Sequence, residues 1–378
     1  MKRLRLFTIC LTLLLSVIVL VTYILLPTAV IEREFFYKTN NGVIKLRTWY
    51  DDSSQTFYLF IPSFVDLSGL KENSKNKTTL KNPENGKSLS LNDCIEGVKY
   101  EVLLDKPKKS PHYFCAKRLS AIPSLIVNTK SGSTKKIHSD KNYKEEVSIN
   151  AYDVDGSSII VNVPGRIKGR GTSTWKQPKK SYVLSANDSL NLFGFGNAVK
   201  WILLSNSFDE SNLRNKLVYD FAKQLGLKTS PDCEYIDLFL NGDYVGLYLL
   251  TEKVEFGDNR IDVLNSPRYL FTLTSESQSE DKKVVFNEES GVRVALSEPD
   301  ILSDSEHHFF QVLLKDLDSS IIKGHHSKAT VDTTTWALTY LVDEIFANSD
   351  ANYLSSYFYT YGDCSTFYRG PVWDYDQS

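Results

Sequence analysis

Apolar positions along the chain change their period several times, and those changes divide it. The first pattern is a block. Leu6 to Leu26 is apolar apart from Thr8, Thr12, Ser16, Thr22 and Tyr23, and it follows Lys2, Arg3 and Arg5. About 20 such residues are enough to span a hydrocarbon core, and the basic flank stays cytoplasmic. Residues 1–29 therefore predict a signal anchor that holds the remaining chain outside the membrane. A cleaved signal peptide, with Pro27-Thr28-Ala29 near its cleavage site, is the alternative. Over residues 30–140 the pattern turns to short strands and polar loops. Thr56 to Ile61 is a β-prone run stopped by Pro62, Val98 to Leu104 and Ala121 to Val127 add apolar strands, and Leu70 to Asp93 reads as a polar loop with room for a short strand. A small sandwich-like β module, acting as a spacer or ligand-presenting domain, is the expected outcome.

From residue 141 onward strands and helices mix. Val147–Ile149 and Ser158–Val163 read as strands that lead into Gly165-Arg166-Ile167-Lys168-Gly169-Arg170-Gly171. Phe208 to Leu225 has helical spacing, with Asp209 or Ser211 as cap, Leu213, Leu217, Tyr219 and Phe221 as apolar positions, and Gly226 as the stop. Tyr235–Leu240 and Tyr244–Leu250 flank Asn241-Gly242, a strong hairpin signal. Pro267–Thr274 and Val292–Leu296 predict further strands. Asp304–Ile322 and Thr333–Ala347 predict helices, the latter presenting Trp336, Tyr340, Leu341 and Ile345 on one face.

Composition narrows the possibilities little. With 378 residues, 42% of them hydrophobic and 24% charged, the chain has room for two or three globular domains. A formal net charge of −2 argues against nucleic acid as a partner, since a phosphate backbone calls for a basic excess. Cys10, Cys94, Cys115, Cys233 and Cys364 show no metal-ligand spacing. His307-His308 and His325-His326 lack the i, i+4 spacing of a helical metal site.

Candidate chemistry collects near the end of the chain. Asp374 and Asp376 follow Trp373; on a strand end they would project from one face. Carboxylate oxygens suit a hard cation such as Mg²⁺, and Asp350 upstream could take or orient a hydroxyl proton. Such a set serves phosphoryl transfer, in which positioning and charge neutralisation do most of the catalysis. The Gly-rich run could cradle a phosphate on its backbone, with its Arg and Lys side chains, Arg170 among them, adding charge. The Gly-Lys-Ser/Thr ending of a Walker A loop is missing. A lysine at the mouth of the following strand is where an ATP phosphate ligand would sit.

Several of these stretches, in order, resemble the spore coat protein H (CotH) kinase family: Arg170-Gly171-Thr172-Ser173-Thr174-Trp175, Lys179-Lys180-Ser181-Tyr182, Trp201 to Asn206, Leu213 to Leu217, Phe239 to Lys253, Asn348-Ser349-Asp350 and Gly370 to Asp376. The resemblance covers about Arg166 to Asp376. It implies an α+β, atypical protein-kinase-like domain over 141–378, with a strand-rich lobe and a helical lobe binding ATP and Mg²⁺. By this resemblance Lys180 is the nucleotide-phosphate lysine, with Lys179 second, and Glu252 and Lys253 form the hinge against the adenine. Asp350 is then the catalytic carboxylate, Asp374 the principal metal ligand, and Asp376 its assistant. Arg214 lies on a helix that could supply an inner ionic partner. Where the protein kinase pattern places Asn after the catalytic Asp, this chain has Ser355, with Asn352 as the substitute metal ligand. Ser181 replaces an expected Pro. Relatives continue with further helices, so the family pattern implies more chain after Ser378. The expected activity is transfer of the ATP γ-phosphate to Ser or Thr of surface or spore-coat proteins. A non-catalytic cell-envelope or spore-surface scaffold is the alternative.

Overall fold

The computed structural model describes residues 33–73, 78–103, 111–262, 267–275, 284–287, 290–351 and 353–378. The apolar block before residue 33 and Asn352 lie outside the described residues. Among the described residues no helix is long and apolar enough to cross a membrane. The chain forms two compact units. The first holds Val43–Ile61, Val65–Arg118 and the residues before Asn40; the second holds Leu119–Ser378 with Asn40–Gly42 and Pro62–Phe64.

In the first unit, β1 (Glu34–Lys38), β2 (Val43–Asp51), β3 (Thr56–Ile61), β4 (Leu70–Glu72), β5 (Thr79–Lys81), β6 (Ser88–Ser90), β7 (Tyr100–Leu103) and β8 (Tyr113–Arg118) form one sheet in the order β4-β1-β2-β3-β8-β7-β5-β6. Phe35, Ile44, Leu46, Leu59, Leu80 and Phe114 are among its buried apolar residues. The order runs continuously through β2, which pairs with β1 over Val43–Arg47 and with β3 over Thr48–Asp51. The polar stretch Leu70–Asp93, expected to hold a short strand at most, contributes three of the strands, because Leu70, Leu80 and Leu89 each carry a short ladder.

The second unit starts with a closed barrel built from β9 (Ser124–Thr129), β10 (Glu145–Tyr152), β11 (Ser158–Arg170), β12 (Ser181–Asn191), β13 (Asn197–Leu204), β14 (Cys233–Leu240) and β15 (Asp243–Glu252), in the order β10-β11-β12-β13-β15-β14-β9. Helix α1 (Lys135–Ser139) follows β9. The apolar run at Ala121–Val127, read with the N-terminal module, instead closes this barrel: Ser124–Val127 pair in parallel with Asp237–Leu240. Leu125, Val127, Ile167, Leu184, Trp201, Leu203 and Leu238 fill the interior. Asn241 and Gly242 turn the β14–β15 hairpin at φ of 56° and 95°, the doubly left-handed geometry that Asn-Gly favours.

Among the described residues the rest of the unit is a six-stranded sheet with three helices. Strands β16 (Arg268–Thr274), β17 (Val285–Asn287), β18 (Arg293–Glu298), β19 (Thr330–Val331), β20 (Tyr357–Tyr361) and β21 (Thr366–Arg369) run in the order β17-β18-β16-β20-β21-β19. Helix α2 (Arg214–Gln224) begins later than its periodicity suggests. Asn206 and Asn212 take φ of 49° and 58°, and the Asp209 carboxylate accepts from the Ser211 and Arg214 amides, so a turn precedes the helix. Its buried face is Asn215, Val218, Tyr219 and Ala222, while Leu213 and Leu217 are exposed. Helix α3 (Asp304–Lys323) has a Ser303/Glu306 capping box and a left-handed Gly324. Helix α4 (Thr333–Ile345) is capped by Asp332 and buries Thr339, Val342 and Asp343; of the expected apolar face Trp336 packs against the core, while Tyr340, Leu341 and Ile345 are exposed. The fold is a sheet-rich α+β arrangement with few helices.

Candidate functional site

Strand alternation builds the first half of the site. On β11, β12 and β13 the residues Ile167, Leu184 and Trp201 point into the barrel. Their neighbours must point outward. The register sets Lys168 beside Val183 and Val183 beside Ile202, and likewise Arg166 beside Ser185 and Ser185 beside Lys200. These outward residues line a cavity of about 630 Å³ together with Lys144, Arg170, Lys253, Val254, Tyr357 and Trp373.

Six lining side chains are cationic (Lys144, Arg166, Lys168, Arg170, Lys200 and Lys253) and none is a carboxylate. Burial, followed by repulsion from Lys144, Lys141, Lys200 and Lys253, lowers the pKa of Lys168. Burial also works against the charge of Lys253, but Glu255 at 2.9 Å and Glu298 at 3.4 Å outweigh it and its pKa is raised. An anion in the cavity would relieve the strain on Lys168.

The second half begins where the Arg170 guanidinium lies 5.0 Å from the centre of the Trp373 ring. The segment Gly370 to Asp376 is not a strand. Asp374 sits at φ 69°, so period-2 alternation does not govern where Asp374 and Asp376 point. Asp374 Oδ2 accepts from the Ser355 hydroxyl at 2.8 Å. Asp376 is buried; burial first, then Asp374, push its carboxyl up to about 6, with Arg170 pulling it down and Asp209 and Asp350 adding to the rise. The pKa of Asp350 is raised by burial and by Asp374. Repulsion among these oxygens is what a hard cation would remove, with water and phosphate completing its shell. Among the described residues no group of three or more His, Cys, Asp or Glu side chains is arranged to hold a metal by itself.

Buried polar groups hold this acidic region. Asn215 Oδ1 accepts from the Tyr375 amide at 2.8 Å. The Tyr375 hydroxyl donates to Asp343 at 2.5 Å, the Asn348 side chain donates to the same Oδ1 at 3.4 Å, and the Asp350 amide donates to Asn348 Oδ1 at 3.1 Å. One buried carboxylate, Asp343, thereby ties the segment bearing Asp374 to the loop bearing Asp350. Arg214 donates to the Asp376 carbonyl at 3.1 Å.

The expected residues fall into three groups. Asp350, Asp374 and Asp376 come together beside Arg170. Arg170 and Lys253 face the cavity. Lys180, Lys179 and Glu252 are engaged elsewhere. Lys180 Nζ donates to the Trp175 carbonyl at 2.6 Å and lies over that ring. Lys179 donates to the Leu247 carbonyl, and burial brings its pKa down to about 8. Glu252 is buried, accepts from the Asp232 amide and pairs with Arg260. The Gly-rich run is no backbone cradle over most of its length, because Gly165 and Gly169 lie inside β11. A Cβ on Gly165 would come within 2.2 Å of the Ser185 carbonyl, and one on Gly169 within 2.4 Å of the Trp175 ring. These glycines serve close packing. The Arg and Lys side chains of the Gly-rich run, expected to add charge for a phosphate, line the cavity as Arg166, Lys168 and Arg170; Lys144 and Lys200 as cavity residues, and Asp209, Asn215 and Asp343 as supports, have no counterpart in the sequence reading. The alternation of Arg166, Lys168 and Arg170 about Ile167 was the available signal.

No curated protein matches the chain in a sequence search. A family model described as CotH kinase protein matches residues 166–378, from the first cationic residue of β11 to the end of the acidic segment. That match spans more than half of the sequence, and the chain belongs to the CotH kinase family.

Proposed function

We propose that this protein is an exported, membrane-anchored kinase of atypical two-lobed, protein-kinase-like design that transfers the ATP γ-phosphate to Ser or Thr of cell-surface or spore-coat proteins. One observation carries the reading: a cavity lined by six cations and no acid meets a cluster of aspartates across the Arg170–Trp373 contact. Phosphate charge is complementary to the first part, and an acceptor hydroxyl needs the second. Export rests on Lys2, Arg3, Arg5 and the apolar block behind them.

On the cavity face the residue proposed for the phosphates is Lys168 in place of Lys180, with Arg170 on the same strand and Lys253 also in the lining. Val183, Ile202 and Val254 offer apolar surface to a base. Asp350, whose pKa is raised, orients the acceptor hydroxyl and takes its proton. Asp374, assisted by Asp376, would hold Mg²⁺, which when bound would neutralise phosphate charge. The test is calorimetry of ATP binding to the protein with and without Mg²⁺, followed by labelled phosphate transfer to Ser/Thr proteins of the cell surface. Absence of any Mg²⁺-dependent ATP binding would refute the proposal.

A second reading, a non-catalytic envelope or spore-surface scaffold, draws on Ser355. Its hydroxyl occupies one oxygen of Asp374 where a protein kinase would supply an Asn ligand. ATP binding without transfer to any acceptor would favour that reading.

A further inference from the structure

We infer that Arg260, remote from the acidic cluster, is the positioning residue that sets the cationic wall of the cavity. The β13–β15 ladder stops at the Trp201–Glu252 pair. Arg260 takes over where it stops: one guanidinium nitrogen donates to the Lys200 carbonyl at 3.0 Å and the other to the Lys253 carbonyl at 3.2 Å. Lys200 and Lys253 both line the cavity, so one buried side chain fixes the backbone of two of its cations.

The same guanidinium also bonds the Glu255 carboxylate, which in turn holds Lys253 Nζ at 2.9 Å. Backbone and side chain of Lys253 therefore answer to Arg260. The loop is shaped for this: the Arg260 amide donates to the Gly257 carbonyl at 3.1 Å, closing a tight turn that aims the side chain back at the strand ends.

Fold stability alone is a poor explanation for the arrangement. A buried arginine with two carboxylates is often no more stable than apolar residues of the same volume. Here Glu252 Oε1 and Arg260 Nε have no hydrogen-bond partner despite being buried, and stand 3.4 Å apart. Glu252 is pushed up to about 7, by burial before any other cause. What the planar fork supplies is geometry, since it holds the Lys200 carbonyl on β13 and the Lys253 carbonyl just past the end of β15 at fixed separation.

The inference rests on reading the cavity as an anion site, so the test uses two probes on the full chain: Mg²⁺-ATP and inorganic tripolyphosphate. Arg260→Gln should weaken both about tenfold, and Arg260→Lys, which keeps the charge without the fork, nearly as much. The deciding readout is a double-mutant cycle with Lys253→Ala. If Arg260 acts by placing Lys253, Arg260→Gln costs less than about threefold in the Lys253→Ala background. Losses that multiply, or a lowered Tm with unchanged affinity, would overturn the inference. Should Arg260→Gln fail to fold, the cycle is run with Arg260→Lys. Binding of tripolyphosphate without ATP would refute the nucleotide reading and leave the cycle to judge Arg260. Binding of neither would end both.

Discussion

Replacing Lys168 by alanine removes one positive charge from the middle of the cavity and leaves the barrel interior untouched. Lys168 lies on β11 between Arg166 and Arg170 on the same face. A unit charge about 4 Å from a phosphate oxygen is worth roughly 4 kcal/mol at an effective dielectric near 20. Two effects reduce that figure. The bound anion is shared with Lys144, Lys200 and Lys253, and burial plus those neighbours already disfavour the Lys168 ammonium. A net loss of about 1–3 kcal/mol is the reasonable expectation for a charge-assisted contact. That is a roughly 5- to 150-fold rise in the Kd for Mg²⁺-ATP. Lys180→Ala should act differently. It removes a bond to the Trp175 carbonyl and a cation over the Trp175 ring, both within one loop. The expected outcome is a stability loss of about 1 kcal/mol with affinity nearly unchanged. Titration calorimetry and thermal unfolding of both variants separate the two effects. A larger affinity loss from Lys180→Ala than from Lys168→Ala would refute the assignment of the cavity face to the phosphates.

The acidic residues should divide by role. Asp374→Asn is expected to lose Mg²⁺-dependent ATP affinity, whereas Asp350→Asn should bind ATP nearly normally and lose about 10²–10⁴ in transfer rate; the reverse pattern would exchange their roles. Ser355→Asn should fold, since Ser355 sits at φ 51°, a left-handed value that Asn tolerates, and should tighten Mg²⁺-dependent ATP binding; weaker binding would count against Asp374 as the metal ligand. Asp237 gives a pH prediction. Burial, only partly opposed by the Tyr244 hydroxyl at 2.8 Å, pushes its carboxyl up to about 6. A raised acid favours the fold while protonated, so its contribution is present below the unfolded value of 3.8 and is lost as pH rises through about 6. Asp237→Asn should flatten the pH dependence of unfolding across that window by at most about 3 kcal/mol, and parallel curves for variant and parent would sink the argument. Protease added to intact cells should degrade the body of the protein, and full protection would contradict the reading of Lys2, Arg3 and Arg5.

What the sequence displayed best was anything set by a local period. The Asn241-Gly242 hairpin, the strand over Thr56–Ile61 and the α3 helix with its capping box depend on neighbouring residues, and the structure forms them all. Which helix face is packed was less legible. On α4, Tyr340 and Leu341 look like core, yet Asp343 is buried because Tyr375, Asn348 and Arg369 surround it from distant segments. The aspartates were legible as a set, although the strand argument behind their pairing failed at the left-handed Asp374. The face that Lys168 takes was hidden for another reason: a glycine-rich run suggests a loop, whereas pairing with β12 makes it strand.

The parallel seam of the barrel has a consequence for how the chain folds. Its partners are Ser124 and Asp237, 237 − 124 = 113 residues apart, whereas the β10–β11, β11–β12, β12–β13 and β14–β15 pairs are all local antiparallel neighbours. Closing a loop of that length costs roughly 4 kcal/mol of chain entropy, so the seam forms after the hairpins. The Asn241 side chain then locks it, accepting from the Thr129 amide at 2.8 Å and hydroxyl at 3.0 Å. During synthesis at about 5–20 residues per second, β9 must wait roughly 6–23 s for β14 to emerge. Through that interval Leu125, Ile126 and Val127 stand on an unpaired edge, the kind of edge that invites association with another chain. Mutations that remove the Asn241 side chain should therefore lower the yield of folded protein as well as the stability of molecules that have closed.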